Sequence, residues 1–124
     1  LTPDPEVLAP LRRRVPDRAL FAEYLRDVVR RLSDNPHVTI ALFELRLEAT
    51  RRPEVAQTLG EWRARAFEDD LAFNAEAGLP GGRLEIALLH YAIDGLMLDR
   101  LTTPLDAGLS VDTVVQELVD RLLR

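Results

Sequence analysis

The chain is 124 residues long, which is enough for one domain with its own core, and it carries 16 basic against 21 acidic residues. The resulting net charge of −5 argues against nucleic-acid binding by this chain itself, because phosphate contacts need a clustered positive surface and only Arg12–Arg14 forms one. The absence of cysteine excludes disulfides and thiolate sites and fits a cytoplasmic setting, and we find neither a signal peptide nor a bilayer-spanning apolar run.

The first quarter of the chain predicts a proline-stiffened, extended lead-in over residues 1–5 and a short helix over about residues 6–13. Because the chain begins at Leu1 rather than methionine, we expect it to be a piece of a longer protein. Asp17 is placed to cap a second helix. Apolar residues recur in that helix at helical spacing, namely Phe21, Leu25, Val28 and Leu32.

Asn35 and Pro36 are expected to act as cap and first residue of a third helix, which ends near Thr50. That helix has two apolar stripes on opposite sides, Val38, Leu42, Leu45 and Ala49 on one and Ile40, Phe43 and Leu47 on the other. Pro53 begins a long helix that runs to about Gly78. Its apolar seam is narrow and comprises Val55, Leu59, Trp62, Ala66, Phe73 and Ala77.

Turn-forming residues over 78–82 break the chain before a strongly apolar helix over 83–101. On a helical wheel this helix has two apolar stripes. One contains Leu84, Ala87, Leu88, Tyr91, Gly95 and Leu98, and the other contains Ile86, Leu89, Ile93, Leu96 and Met97. A surface helix of a monomer needs only one such face. A last helix begins at Ser110 as its cap and has a broad apolar seam up to about residue 123.

No segment alternates strictly enough to predict a strand, so the expected fold is all-α, an antiparallel bundle of five to six helices in one domain over residues 1–124. Two explanations of the doubly apolar helix remain open. Its own chain could cover both sides, or a second copy could cover one of them. We favour an intermolecular four-helix bundle made by the last two helices of each copy, in which Ala87 and Gly95 allow close approach. The predicted dimer-interface residues are Leu84, Leu88, Tyr91, Gly95, Leu98, Val111, Val115, Leu118 and Leu122.

Two segments resemble a known family. The sequences "FELRLEATRRPEVAQTL" at residues 43–59 and "ALLHYAIDGLMLDRLTTPLD" at residues 87–106, with the long helix carrying Trp62 between them, resemble the C-terminal domain of TetR-like transcriptional repressors. An acidic residue and a glycine inside a leucine-rich helix, followed by a loop and a short last helix, are typical of that family. The resemblance extends over nearly the whole chain in helix order and is strongest over residues 42–124.

The resemblance implies three properties. The domain would dimerise through its last two long helices, here about residues 83–102 and 110–123. It would enclose a small-molecule pocket among the preceding helices. It would also follow an N-terminal helix-turn-helix domain that contacts operator DNA. That DNA-reading segment is not in this sequence, so we expect no DNA binding by this chain unaided.

Residues that could support catalysis or metal binding are few. His37 and His90 are the only histidines, and His37 is expected to be exposed. His90 and Asp94 are four residues apart on one helix, which permits a hydrogen bond or half of a metal site, but no second histidine stands nearby. We interpret the pair as a polar seam between two packed faces, and predict no catalytic residue, no metal site and no cofactor.

Candidate ligand-binding residues come from the aromatic and acidic positions of the helices. Asp69 is in the charge run of residues 68–70, which is either a solvated face or, near Trp62 and Phe73, a partner for a cationic ligand. The aromatic and apolar candidates have the alternative of being plain core. The full set of ligand-binding candidates is Phe21, Leu25, Phe43, Leu47, Trp62, Asp69, Phe73, His90 and Asp94.

The sequence therefore predicts the effector-sensing and homodimerisation domain of a bacterial transcriptional repressor, in which binding of a small, largely apolar effector is coupled to operator release. A helical dimerisation or adaptor module without a ligand is the competing hypothesis. An enzyme built on a helical bundle is the weakest interpretation, since no nucleophile constellation or phosphate-binding loop is recognisable.

Overall fold

Six α-helices form the regular structure of residues 1–123, the part of the chain that the computed structural model describes, and no strand occurs in that range. In chain order they are α1 (Pro5–Leu11), α2 (Arg18–Asp34), α3 (Pro36–Glu48), α4 (Pro53–Glu76), α5 (Arg83–Leu101) and α6 (Val111–Leu122). The predicted all-α class is confirmed for this range, and the short helix at the front is present.

Side-chain oxygens of the N-cap residues accept hydrogen bonds at the starts of α1, α2 and α6, whereas the N-cap residues of α3 and α4 make no such bond. The Leu20 N–H donates to Asp17 Oδ1 at 2.8 Å, and the Thr113 N–H donates to Ser110 Oγ at 3.4 Å, as predicted. Asn35 and Pro36 stand at the predicted N-cap and first position of α3, but the Asn35 side chain makes no capping hydrogen bond there. Its side-chain amide donates backwards to the carbonyl oxygen of Arg31 at 2.8 Å, so it satisfies the C-terminal end of α2, where helical carbonyls lack partners.

The core lies between α2, α5 and α6 and consists of two adjoining clusters. The first contains Ala22, Leu89, Val119 and Leu123, and the second contains Val29, Ile93, Met97 and Val115. Each cluster takes residues from all three segments, so α2, α5 and α6 pack together along their length.

Helix α5 is buried on one side only. The buried side carries Ile86, Leu89, Ile93 and Met97, which we call the inner stripe. The opposite side carries Leu84, Leu88, Tyr91, Gly95 and Leu98, which we call the outer stripe, and all five are exposed. The explanation in which the chain itself covers both sides of this helix is therefore wrong for the described residues.

Helix α6 uses most of its apolar width within the protomer. Val115, which the sequence assigns to the dimer interface, is completely buried together with Val119. The structure places Val115 in the core instead, because α6 packs against both α2 and α5 and needs a broad apolar seam to do so. Leu118 and Leu122 are half-buried at the edge of the core, and so is Val111.

The connection between α4 and α5 is organised by one buried amide. The Asn74 Nδ2 faces the carbonyl oxygens of Leu79, Pro80 and Gly81 at 3.3, 3.1 and 3.2 Å. Gly81 has φ of +96°, and a Cβ there would come within 2.7 Å of Leu123 Cδ2. A side chain at this position would therefore be strained in its backbone and would collide with the core.

Helix α4 packs mainly beside α3 and adds polar and aromatic contacts to α5 and α2. Asn74 is its only buried residue. Arg83 Nη2 at the start of α5 donates to Glu68 Oε1 at 2.6 Å, and the Arg83 guanidinium also lies over the Phe67 ring. This hydrogen bond lowers the pKa of Glu68 and raises the pKa of Arg83, because it favours the charged form of both groups.

None of the helices within residues 1–123 combines the length and the hydropathy that a bilayer crossing requires.

The three-helix core predicts a large difference between two leucine truncations. Leu89→Ala removes a buried side chain at 3% exposure, and we expect it to lower the free energy of unfolding by about 2–5 kcal/mol. Leu105→Ala removes the same atoms from a side chain at 91% exposure, and we expect a change within about 0.5 kcal/mol. Urea unfolding followed by circular dichroism at one fixed protein concentration measures both. Equal losses in the two variants would contradict the assignment of Leu89 to the core.

The contact between α4 and α5 predicts a pKa change that NMR can follow. Arg83→Gln should raise the pKa of Glu68 towards its ordinary value, since the hydrogen bond that favours the carboxylate is lost. A lowered folded-state pKa stabilises the protein above the ordinary glutamate pKa and loses that effect as the pH falls through the lowered value. The side-chain carboxyl ¹³C shift of Glu68 against pH is the measurement.

The control for that titration is Arg121→Gln, which breaks the Arg121–Glu117 pair on α6 and should leave the Glu68 titration unchanged. If Glu68 titrates identically in the wild type and in Arg83→Gln, the two helices are not joined by this pair.

Candidate functional site

A cavity of about 190 Å³ lies between α2, α3, α4 and α5, beside the core cluster that contains Met97. Residues from all four helices and the first residue of the chain line it. They are Leu1, Leu32, Thr39, Leu42, Phe43, Arg46, Leu59, Trp62, Arg63, Asp94 and Met97. Most of these side chains are apolar, which is the usual character of a small-molecule pocket.

The charged part of the lining is a cluster of Arg46, Arg63 and Asp94, which we call the charged edge. Arg46 Nη1 donates to Asp94 Oδ2 at 2.8 Å, and Arg63 Nη2 lies 3.7 Å from the same oxygen. The three side chains are 35%, 41% and 33% exposed. The Arg46 guanidinium also lies 5.9 Å from the centre of the Phe43 ring, so it borders both the apolar wall and solvent.

Three of the nine predicted ligand-binding residues line this cavity. Phe43 of α3 and Trp62 of α4 face it from two sides, and Asp94 of α5 closes it at the charged edge. Trp62 is half exposed. Its indole ring therefore borders the cavity and also reaches solvent, as expected for a residue at an entrance.

Four other predicted residues lie elsewhere. Phe21 and Leu25 pack against the core clusters, as the plain-core alternative expects. Phe73 makes an edge-to-face contact with Tyr24, with ring centres 5.1 Å apart. Leu47 is 67% exposed and does not line the cavity.

Asp69 and His90 also lie outside the cavity. Asp69 is exposed and lines a shallow surface depression of about 380 Å³ whose lining residues all belong to α4, including Trp62 and Arg65. One helix alone cannot enclose a ligand. His90 Nε2 lies 2.9 Å from Asp70 Oδ2 and packs edge-to-face on Phe67, so it contacts α4 rather than Asp94. Within residues 1–123 no cluster of histidine, aspartate and glutamate could hold a metal ion.

Sequence reasoning did not select Arg46 and Arg63, although both are essential to the charge of the cavity. Each follows an apolar lining residue by four positions, Leu42 in α3 and Leu59 in α4, and therefore shares its helix face. The sequence signal for both residues was an arginine on the same helix face as an apolar stripe. That signal identifies a lining residue only when the structure shows that α3 and α4 face Asp94 of α5.

The outer stripe of α5 is the second notable surface. Leu84 is 66% exposed, Tyr91 is 70% exposed and Leu98 is 49% exposed. A Cβ added at Gly95 would meet nothing within 4 Å. Exposed apolar side chains that share one helix face are typical of an interaction site rather than of free surface.

The cavity and the outer stripe share helix α5. Asp94 and Met97 line the cavity, whereas the adjacent residues Gly95 and Leu98 belong to the outer stripe. Any displacement of this helix by material in the cavity would therefore change the exposed apolar face as well.

Comparisons with known proteins place this architecture in a family. No curated protein matched the chain in a sequence search. A family model described as tetracyclin repressor-like, C-terminal domain, matches residues 16–124. That range includes the cavity-forming helices α2, α3, α4 and α5 and the last helix α6. The chain therefore belongs to the family of tetracyclin repressor-like C-terminal domains, which are regulatory domains.

Proposed function

We propose that residues 1–124 form one domain that senses a small-molecule effector and forms a homodimer in a bacterial transcriptional repressor. Effector binding would be coupled to operator release through a DNA-binding domain outside this sequence. The observation that supports this function best is that α5 lines the cavity with Asp94 and Met97 and presents an apolar face with Gly95 and Leu98.

Dimerisation is supported by the amount of apolar surface on the outer stripe. Transfer of one exposed leucine side chain out of water is favourable by about 1.5–3 kcal/mol before the costs of association are subtracted. Leu84, Leu88, Tyr91 and Leu98 lie on one face of α5, and a two-fold axis would bring two such faces together. The half-buried edge of α6, with Val111, Leu118 and Leu122, is proposed to extend the interface on either side.

Coupling between the two sites follows from their shared helix. An effector that fits the cavity better in one tilt of α5 than in another would shift the relative orientation of the two subunits. The DNA-binding domains would then lose their alignment with successive major grooves. The strength of this effect cannot exceed the difference in effector affinity between the two arrangements.

An adaptor module without a ligand has less support. Such a module has no use for a cavity, whereas the space between Phe43 and Trp62 is not filled by side chains. A cavity of about 190 Å³ that is lined mostly by apolar side chains and has charged groups at one edge favours sensing.

The close approach of two α5 helices predicts a specific effect of Gly95→Leu. The added side chain meets nothing within the protomer, and replacing a mid-helix glycine by leucine favours the helix by about 1 kcal/mol. The protomer should therefore fold, while the leucine would hold two copies apart and weaken the dimer about tenfold or more. Sedimentation velocity at micromolar concentrations measures the association.

Gly60→Leu is the matched control for that experiment. Gly60 is also a mid-helix glycine with nothing within 4 Å, but it lies in α4. We expect this variant to associate like the wild type. A monomeric wild type, or a Gly95→Leu variant that dimerises as well as Gly60→Leu, would contradict the proposed interface.

The sensing function predicts a retained small molecule that depends on the cavity. Native mass spectrometry of the chain purified from bacterial cells should show a bound compound. Leu42→Trp would fill the cavity from α3 and should remove that compound. Leu45→Trp places the same ring on α3 at a position that does not line the cavity, and should keep the compound bound.

Equal occupancy in Leu42→Trp and Leu45→Trp would show that any bound compound sits elsewhere. Absence of a bound compound in the wild type, together with no thermal stabilisation by an extract of bacterial metabolites, would favour the adaptor hypothesis.

A further inference from the structure

We propose that the cavity takes a small anionic amphiphile, an apolar body with one carboxylate, whose carboxylate binds Arg46 and Arg63 at the charged edge. This inference rests on the proposed sensing function and goes further, because it names the charge of the ligand and the residues that recognise it.

The charge of the lining is the first support. Among the side chains that line the cavity, Arg46 and Arg63 are cationic and Asp94 is the one anionic group. The two guanidinium groups therefore exceed the carboxylate by one positive charge. A second carboxylate, brought by the ligand, would complete the balance, whereas an ammonium group would add a third positive charge to the same edge.

The geometry of the ion pairs is the second support. Both arginines lie against the same atom, Asp94 Oδ2, but only Arg46 is within hydrogen-bonding distance at 2.8 Å. Among residues 1–123, Arg63 makes no other salt bridge and no hydrogen bond to a side chain or carbonyl. Each guanidinium has five N–H donors, so most donors of this pair remain free for a ligand. Two arginines beside one carboxylate can form the bidentate contacts that favour carboxylates.

The apolar lining residues determine the size and the apolar character of the rest of the ligand. Leu42, Phe43, Leu59, Trp62 and Met97 line the cavity from α3, α4 and α5. An engineered apolar cavity of about 150 Å³ is known to accept benzene. A cavity of about 190 Å³ therefore admits one ring or a short alkyl chain, with its carboxylate at the charged edge.

Asp94 is predicted to compete with the ligand for both arginines. The carboxylate of the ligand must share or replace the contact that Asp94 makes with Arg46. Removing the charge of Asp94 should consequently strengthen binding of an anion. A residue with a merely structural role would weaken binding when changed, so the sign of this effect is diagnostic.

The test uses three matched probes and isothermal titration calorimetry with the full chain. The probes are 3-phenylpropanoate, its neutral amide 3-phenylpropanamide, and the cation 3-phenylpropylammonium. In the wild type we expect the carboxylate to bind about tenfold more tightly than the amide, the size of one charge-assisted hydrogen bond. Asp94→Asn should tighten the carboxylate about tenfold further and leave the amide within about twofold.

Two arginine variants complete the design. Arg46→Gln combined with Arg63→Gln should remove the preference for the carboxylate over the amide. Arg65→Gln neutralises a neighbouring arginine of α4 that does not line the cavity, and should leave the preference intact. Thermal unfolding of each variant checks that the fold is retained.

Several results would overturn the inference. Equal affinity for the carboxylate and the amide, tightest binding of the ammonium probe, no tightening in Asp94→Asn, or no carboxylate binding would each do so. The proposed sensing function fails separately. If the amide binds as well as the carboxylate and Leu42→Trp abolishes both, the cavity is a ligand site and only its assigned charge is wrong.

Discussion

The structure depends on one helix that is apolar on two opposite sides. The inner stripe of α5 supplies Leu89, Ile93 and Met97 to the core, and α2 and α6 pack on it because they present the complementary faces. Residues 1–123 leave the outer stripe exposed. Exposed leucine and tyrosine side chains on one helix face are unfavourable in water, and this division is the main support for the proposed dimer.

The charged edge keeps one side of the cavity in contact with solvent. Arg46, Arg63 and Asp94 are 35%, 41% and 33% exposed there, and complete burial of these groups would carry a desolvation cost. The Asp94 carboxylate lies 2.8 Å from Arg46 Nη1 and 3.7 Å from Arg63 Nη2, so a single carboxylate faces two guanidinium groups. The same interaction that holds α3, α4 and α5 around the cavity also leaves donors available there.

The few buried residues of α4 determine which wall of the cavity moves most easily when a ligand binds. This helix has Asn74 as its single buried residue and contacts α5 through the side-chain pairs Arg83–Glu68 and His90–Asp70. Exposed ion pairs contribute little stability, and segments with few buried apolar contacts open most easily. The wall formed by Leu59 and Trp62 is therefore easier to displace than the wall formed by α5, which is held by the core.

The sequence by itself determined the helices, most of their caps and the two stripes of α5, because helical periodicity and capping are local properties. It also indicated the family, Phe43, Trp62 and Asp94. Tertiary structure alone decided which stripe is buried, since both are apolar and only packing against α2 and α6 distinguishes them. It likewise moved Val115 into the core and brought Arg46 and Arg63 to Asp94. Those contacts join residues that are distant in sequence, and periodicity carries no information about which helices face each other.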